Sequence, residues 1–417
     1  MFQSVSTAKN LALDVRVRDA FPVFRDHPTT IYFDSAATTQ KPLSVIQAVN
    51  RYHCRAVNIG RGSYPWAVEV DEQVRAIREN VARFLHAHSA TEVVFTSGAT
   101  DSFNRICLSW GLANLHNGDE VLLCAADHKS CTLPWLNLKR MLQRLGIIVK
   151  ILFYGVDEVG SIDLYDLLSK ITTRTRLVVM THINNVYGYL NDIAALRAML
   201  PHPILLALDA SQSIGHIDVN VQHLGVDFLA FSGHKMFAST GIGVLWVDQQ
   251  WHSQLHPSMV GGGSGSSSIH PQTDDFDSAT MPDLLEAGTQ NIAGILSLGA
   301  ATAFLQSIGM EAIHTALSAL TTYLVTQLQT LDQLTFVPHK RFEKPGNAYG
   351  LVSFRFEGLS SSEVGSFLEQ HHIFVRTGDH CMSIPGESED SLRVSLHLYN
   401  TRDEIDRLLQ VLQYLLD

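Results

Sequence analysis

The sequence predicts an α/β protein, a large domain with a mainly parallel sheet between helices, followed by a smaller α+β domain. Three observations carry this expectation. Short uninterrupted apolar runs alternate with stretches of helical spacing, the pattern of parallel strands buried on both faces. Several of those runs end in polar residues, at the carboxyl ends of strands where open α/β sheets gather their ligands. After Val260 the character changes, and a helical stretch with a βαβ-like tail follows the one low-complexity run, Gly261 to Ser268. The expected division is an N-terminal segment over 1–30 packing with the small domain, a large domain over 31–305, and a small domain over 306–417 that carries the Cys381 loop.

Taken in order, Val15 to Phe21 reads as a short amphipathic helix closed by Pro22. Ile31 to Thr39 reads as a brief strand running into small and polar residues. Pro42 to Tyr52 and Val68 to His86 have helical spacing, separated by the glycine-bracketed loop Asn58 to Ser63 with Arg61. Glu92 to Phe95 is a strand whose exit, Thr96-Ser97-Gly98-Ala99-Thr100, opens a helix over Asp101 to Leu112. Free N–H groups and the dipole at such a helix start suit a phosphate. Further strands are expected at Glu120–Cys124, Arg176–Met180 and Ile204–Leu208, ending near His128, Asn185 and Asp209–Gln212. Val226 to Phe231 is a buried strand that ends in Ser232-Gly233-His234-Lys235, and Gly243 to Val247 returns as another. Beyond the Gly/Ser run come helices over Ile292–Ile308 and on to about Leu331. The tail has strands at Leu351–Phe356, Ile373–Arg376 and Arg393–Leu396. A helix over Ser361–His371, capped at Ser361 or Ser362, lies between the first two, and Thr401–Leu416 closes the chain.

Composition narrows the function. With 417 residues, 46% hydrophobic and 17% charged, the chain is long enough to bury a substantial core. A net charge of -11 argues against nucleic acid or an anionic membrane as the main partner. Charges interrupt Met1 to Phe24, so no secretory signal is expected, and no run is apolar for long enough to cross a bilayer. Five scattered cysteines do not suggest a disulfide framework, and the 20 histidines show no metal-ligand spacing. A cytoplasmic protein is the expectation.

The chemistry centres on Lys235. A lysine held between buried strands is costly unless its charge is removed, and a Schiff base to an aldehyde cofactor removes it. A lysine in a surface turn fits the same pattern. Asp209 would suit a protonated pyridine nitrogen, Gln212 and Asn185 are neutral hydrogen-bonders for a ring hydroxyl, and His128 offers a stacking face and a proton relay. Each has a plain alternative: Asp209 as a helix cap, His128 as a satisfied interior histidine.

Together these residues resemble the class V, fold-type I pyridoxal-phosphate enzymes with their seven-stranded type of sheet. More narrowly they resemble cysteine desulfurases of the SufS/CsdA type, a group that includes selenocysteine lyases. The resemblance runs from Tyr32-Phe33-Asp34-Ser35-Ala36-Ala37 to Tyr399-Asn400-Thr401. Its most specific pieces are Phe231 to Lys235, Glu286-Ala287-Gly288-Thr289 and Arg376-Thr377-Gly378-Asp379-His380-Cys381. It implies that Lys235 carries pyridoxal 5'-phosphate, that Asp209 pairs with the ring nitrogen, that His128 stacks on the ring and that Gln212 touches the ring oxygen. Ala99, Thr100, Ser232 and His234 would bind the phosphate, and Gly288 with Thr289 would reach the phosphate of a neighbouring subunit, making a homodimer. Cys381 would take sulfur from L-cysteine as a persulfide, for handing on to an acceptor protein, while Arg393, with Arg376 and Asn185, would hold the substrate. Cys107 and Cys124, inside apolar patterns, read as structural thiols.

The chain departs from that family's pattern in places. Gly60 stands where a histidine is usual, and Asp127-His128-Lys129-Ser130-Cys131 where Glu-His-His-Ala-Asn is usual. Asp379 replaces a histidine, placing a negative charge near Cys381 that is expected to raise its pKa. Kynureninase-like or epimerase-like chemistry, with Cys381 dispensable, is the nearest alternative. A catalytically weak scaffold for an acceptor protein is a second, against which Lys235, Asp209 and Gln212 argue jointly.

Overall fold

A computed structural model describes residues 17–60, 62–201, 203–262, 269–270, 275–276, 278–342, 349–384 and 390–416. Arg61 and the Gly263–Ser268 part of the low-complexity run lie outside them. The first helix, α1 (Pro22–Asp26), begins where the sequence reading ends one: Pro22 occupies its first turn, where a missing N–H costs nothing. Of the helix expected over 15–21, only residues 17 and 18 are helical among those described, and a turn follows them. Strand β1 (Ile31–Tyr32) leads to α2 (Leu43–Cys54) and α3 (Pro65–Phe84), the latter opened three residues early by Pro65.

The large sheet is built from β2 (Val93–Thr96), β3 (Glu120–Cys124), β4 (Lys150–Tyr154), β5 (Thr175–Thr181), β6 (Leu205–Asp209), β7 (Phe228–Ser232) and β8 (Gly243–Val247). Their order is β2-β8-β7-β6-β5-β3-β4, with β8 the one antiparallel member. After β2 comes α4 (Ala99–Ile106), which continues through a π-helical turn, Cys107–Gly111. After β3 comes α5 (Lys129–Arg144). The strand order reverses between β3 and β5, which creates a crevice at their carboxyl ends.

Alternate residues of each strand face opposite cores. Leu205 and Ala207 pack with Trp110, Trp135 and Leu138 on one side; Leu206 and Leu208 pack on the other. That second core includes α6 (Ile292–Ile308), which meets α2 and α3 on its outer side. Its apolar residues run all round because it is enclosed on several sides. No single helix among the described residues is long and apolar enough to cross a membrane.

At Gly309 the chain turns into α7 (Met310–Leu328), three residues shorter than the expected run to Leu331. The C-terminal part holds β9 (Leu334–Phe336), β10 (Leu351–Phe356), α8 (Ser361–Gln370), β11 (Ile373–Phe374), β12 (Arg376–Gly378), β13 (Ser391–Ser395) and α9 (Arg402–Leu416). Its sheet runs β9-β10-β13-β12, every neighbour antiparallel, so β10 and β12 are parallel with β13 inserted between them. This is a split form of the expected βαβ tail. The cap of α8 is Ser360, one residue before the expected pair. Its Oγ accepts the Glu363 N–H at 3.3 Å while Glu363 Oε2 accepts the Ser360 N–H at 2.9 Å, closing a capping box.

The segment from Phe21 to Asp34 meets the C-terminal part. β1 pairs in parallel with β11, and Asp34 bridges to Ser395. Phe21 lies between Phe237, Phe304 and Tyr399, with ring centroids at 5.3, 5.7 and 4.9 Å. Phe21, the segment after β7, α6 and the segment after β13 therefore meet in one apolar cluster.

Candidate active site

A cavity of about 370 Å³ opens at the carboxyl ends of β3, β5, β6 and β7, closed on its outer side by the segment after β12. Its wall contains Lys235, Asp209, His128 and Asn185 from the large sheet, and Cys381, Arg376 and Arg393 from the C-terminal part. These residues lie between positions 128 and 393: Asp209 ends β6, His128, Asn185, Lys235 and Cys381 follow strands, and Arg376 and Arg393 lie within β12 and β13.

Lys235 closes the short turn after β7. Burial pulls its pKa down, and the Asp209 carboxylate is the largest force acting the other way. Asp209, the last residue of β6, is buried. One of its oxygens accepts the Ser211 N–H at 2.8 Å and the other accepts the Cys131 thiol at 3.3 Å. Nearby Asp127, also buried, has a pKa raised well above the ordinary carboxylate value by desolvation and by the charge of Asp209.

His128 is the N-cap of α5, its Nδ1 accepting the Ser130 N–H at 3.1 Å. That bond puts the proton of the neutral ring on Nε2. Burial, then the Lys235 cation, pushes its pKa down to about 4, so the ring is neutral near pH 7. It is a cap and a cavity residue at once.

One end of the cavity is an anion cradle. α4 starts against it at Ala99 and Thr100, and Ser232 Oγ accepts the Ala99 N–H at 2.9 Å. Thr100 Oγ1 and Ser130 Oγ are hydrogen-bonded at 2.7 Å beside them, and His234 also lines the wall. The backbone packs closely here. Gly98 sits at φ +147°, and a Cβ on Gly243 would fall 2.5 Å from both Gly98 Cα and Phe231 O. Burial and the Lys235 charge push the His234 pKa down to about 4.

At the other end are two arginines. Asp34 lies between them, its Oδ2 3.1 Å from Arg376 Nη2 and its Oδ1 3.5 Å from Arg393 Nη2. Arg393 also donates from Nη1 to the Asn185 carbonyl at 2.8 Å, which leaves its buried Nε without a partner. Asn185 donates to the His380 carbonyl at 2.9 Å while its own Oδ1 is buried and unpaired. Cys381 is exposed at the rim, in contrast to the buried Cys107, Cys124 and Cys131.

The charge of Asp379 beside Cys381 has a partner of its own. Its Oδ2 pairs with Lys129 Nζ at 2.9 Å and its Oδ1 accepts the Cys381 N–H at 3.0 Å, and these partners hold its pKa down. Two departures from the family pattern, Lys129 and Asp379, are thus partners.

Gln212, Gly288 and Thr289 fall outside this cavity wall. Gln212 is buried with Nε2 on the Ala36 carbonyl at 3.0 Å and Oε1 unpaired. Gly288 and Thr289 line a separate cavity of about 900 Å³ with Asn58, Gly60 and Arg78. Sequence reasoning missed Asp34, Ser130 and Cys131 as site neighbours. For Asp34 and Ser130 a signal existed, since both follow a strand end, whereas the thiol bond to Asp209 left no trace in spacing.

The family model described as aminotransferase class-V matches residues 31–408. A probable cysteine desulfurase of Synechocystis sp. is 35% identical over 414 residues, covering 96% of this chain and 95% of the relative. A cysteine desulfurase of Cronobacter sakazakii is 34% identical, covering 94% and 96%. Among solved structures, the apo cysteine desulfurase of Thermococcus onnurineus NA1 superposes with a TM-score of 0.87 at 30% identity, covering 96% of this chain and 97% of that one. The cysteine desulfurase CsdA of Escherichia coli, in an S-sulfonic acid form, gives a TM-score of 0.86 at 28% identity over 97% and 98% of the two chains. Similarity of this extent in both sequence and fold means that the chain belongs to the aminotransferase class-V family, among its cysteine desulfurases.

Proposed function

We propose that this protein is a cysteine desulfurase that uses pyridoxal 5'-phosphate to convert L-cysteine to L-alanine, passing the sulfur to Cys381. The observation that carries the reading is the meeting of a desolvated amine, a buried carboxylate and an exposed thiol, Lys235, Asp209 and Cys381, in one cavity.

The residues present fit the cofactor. A phosphate matches the cradle of Ala99, Thr100, Ser232 and His234 at the start of α4. Asp209 would accept from a protonated ring nitrogen, and the buried unpaired Oδ1 of Asn185, on the same wall, is a group that a ring substituent would satisfy. His128, its ring fixed by the cap bond, would hold the face of the cofactor ring. When bound, the cofactor supplies an electron sink that acidifies the substrate's α-carbon.

The chain's own residues do the rest. Burial favours the neutral amine of Lys235, which would hold the cofactor's aldehyde and whose Nζ is the base for the substrate's α-proton. Arg393 binds the substrate carboxylate, its unpaired Nε being the free donor, with Arg376 beside it. Cys381 Sγ attacks the substrate sulfur as a thiolate. An S–S bond forms, the Cβ–S bond breaks with its electron pair left on carbon, and carbon is then protonated, so Cys381 ends as a persulfide and alanine leaves. Selenocysteine, with a weaker bond to carbon, fits the same sequence of events. Gly288 and Thr289, on a cavity of their own, are read as the part that serves a second copy of the chain, and a soluble acceptor protein would collect the persulfide sulfur at the rim.

The test is purified protein with L-cysteine and a reductant, following alanine and sulfide. Parent activity lost in both Lys235→Ala and Cys381→Ala is the expected result. A protein that binds the cofactor yet releases no sulfide or selenide would overturn the reading in favour of kynureninase-like or epimerase-like chemistry.

A further inference from the structure

We propose that Lys129 and Asp379 are positioning residues for Cys381, forming a latch that fastens the thiol-bearing segment to the start of α5. The inference rests on Cys381 being the sulfur nucleophile.

Both peptide groups of Cys381 are held by this pair of residues. Asp379 Oδ1 accepts the Cys381 N–H at 3.0 Å, and the Lys129 N–H donates to the Cys381 carbonyl at 2.9 Å. The ion pair, Lys129 Nζ to Asp379 Oδ2 at 2.9 Å, ties the two holders to each other. The fastening continues outward, where the Ser383 N–H donates to the Asp127 carbonyl at 2.8 Å and the Ile384 N–H to the Ala125 carbonyl at 3.0 Å. Thr132 and Ser383 hydroxyls meet at 2.6 Å.

The backbone explains why such fastening is needed. His380 and Cys381 have φ of +52° and +59°, in the left-handed region that residues with a Cβ seldom adopt. Such residues stay there only where their surroundings over-determine the conformation. The Lys129 and Asp379 side chains are 41% and 40% exposed, so their pairing adds little to global stability and acts on the local geometry. Displacing an attacking group by an ångström is enough to slow a reaction severely.

The experiment compares the cofactor-loaded parent with Lys129→Gln, Asp379→Asn, their combination and Lys129→Arg. Asp379→Asn keeps the acceptor for the Cys381 N–H and removes only the charge. Hydrogen exchange at the 129, 383 and 384 amides and iodoacetamide labelling of the Cys381 peptide are read beside turnover. Peptide-level labelling is needed because Cys54 is also exposed. Each neutralised variant is expected to exchange and label about threefold faster or more, the combination no faster than the faster single, and Lys129→Arg close to the parent. Turnover is expected to fall by about tenfold in the neutralised variants with little change in KM. In 1 M salt, where the Debye length is about 3 Å, the parent is expected to move toward them. Exchange and labelling unchanged in both single variants, or strictly additive in the combination, would overturn the latch. A parent that releases no sulfide would instead remove the desulfurase reading, while exchange and labelling still decide whether the pair holds the segment.

Discussion

Burial lowers the pKa of Lys235, and the Asp209 charge across the same cavity pulls it back toward its ordinary value. Replacing Asp209 with Ala is therefore expected to leave an amine that is less often protonated and a ring nitrogen without its partner. Turnover should drop by more than about a hundredfold, the size of effect seen when one preorganised electrostatic partner is removed. Cofactor retention measured by absorbance separates loss of binding from loss of rate. His182 gives a pH prediction of a different kind. Buried and bonded through Nδ1 to Ser213 at 3.1 Å, it has its pKa pushed down to about 4 by desolvation. The unfolded chain takes up its proton near pH 6.5, so the stability is fully present above that value and is lost as pH falls toward 4. Between pH 7 and pH 5 this one residue should account for about 2 kcal/mol. Urea midpoints at the two pH values, in the parent and in His182→Gln, check it, and the variant should show the shallower dependence.

At the scale of elements, the site depends on how closely β8, β7 and the start of α4 approach. Gly243→Ala would set a methyl group against Gly98 Cα and Phe231 O, both backbone atoms that cannot swing aside. A loss of about 1–3 kcal/mol is expected. The same shift displaces the Ala99 N–H from Ser232, so inorganic phosphate binding by the apo form should weaken as well. A stable variant with parental phosphate affinity would refute the account. The α8 cap is the simpler case, and Ser360→Ala should cost about 1 kcal/mol in a denaturant titration through loss of the capping box. Its placement also shows what local reasoning misses. A Ser-Ser-Ser run offers several caps, and only the Glu363 that reaches back to Ser360 selects one of them.

At the scale of the whole molecule, the loop after β5 joins the large sheet to the C-terminal part. Arg341, buried at 1% exposure, donates from Nε to the Tyr187 carbonyl at 2.7 Å and from Nη2 to the Gly188 carbonyl at 3.2 Å. Ser353 Oγ donates to the Val186 carbonyl at 2.6 Å and Arg393 to that of Asn185. The carbonyls of four successive residues are thus satisfied from the other side. Arg341→Met should cost about 2–4 kcal/mol, since two buried acceptors lose a charged donor. Because Asn185 and Arg393 belong to the same seam, KM for cysteine is expected to rise in that variant more than kcat falls.

Taken alone, the sequence determined the strands and their chemistry. A fully buried strand must be written as a continuous apolar run, and a polar residue that ends such a run has to be accounted for. Hence β3, β10 and α6 agree with their expected limits, and Asp209 and Lys235 stand out without any coordinates. Only the tertiary structure decided which strand ends face one another, because sheet order depends on non-local packing that leaves no periodicity behind. It left Gln212 outside the cavity wall, set Gly288 and Thr289 on a cavity of their own and brought Asp34 between two arginines. It also paired Lys129 with Asp379 across 250 positions of sequence. A charge read in isolation carries the sign of its own effect, but its partner is chosen by the fold.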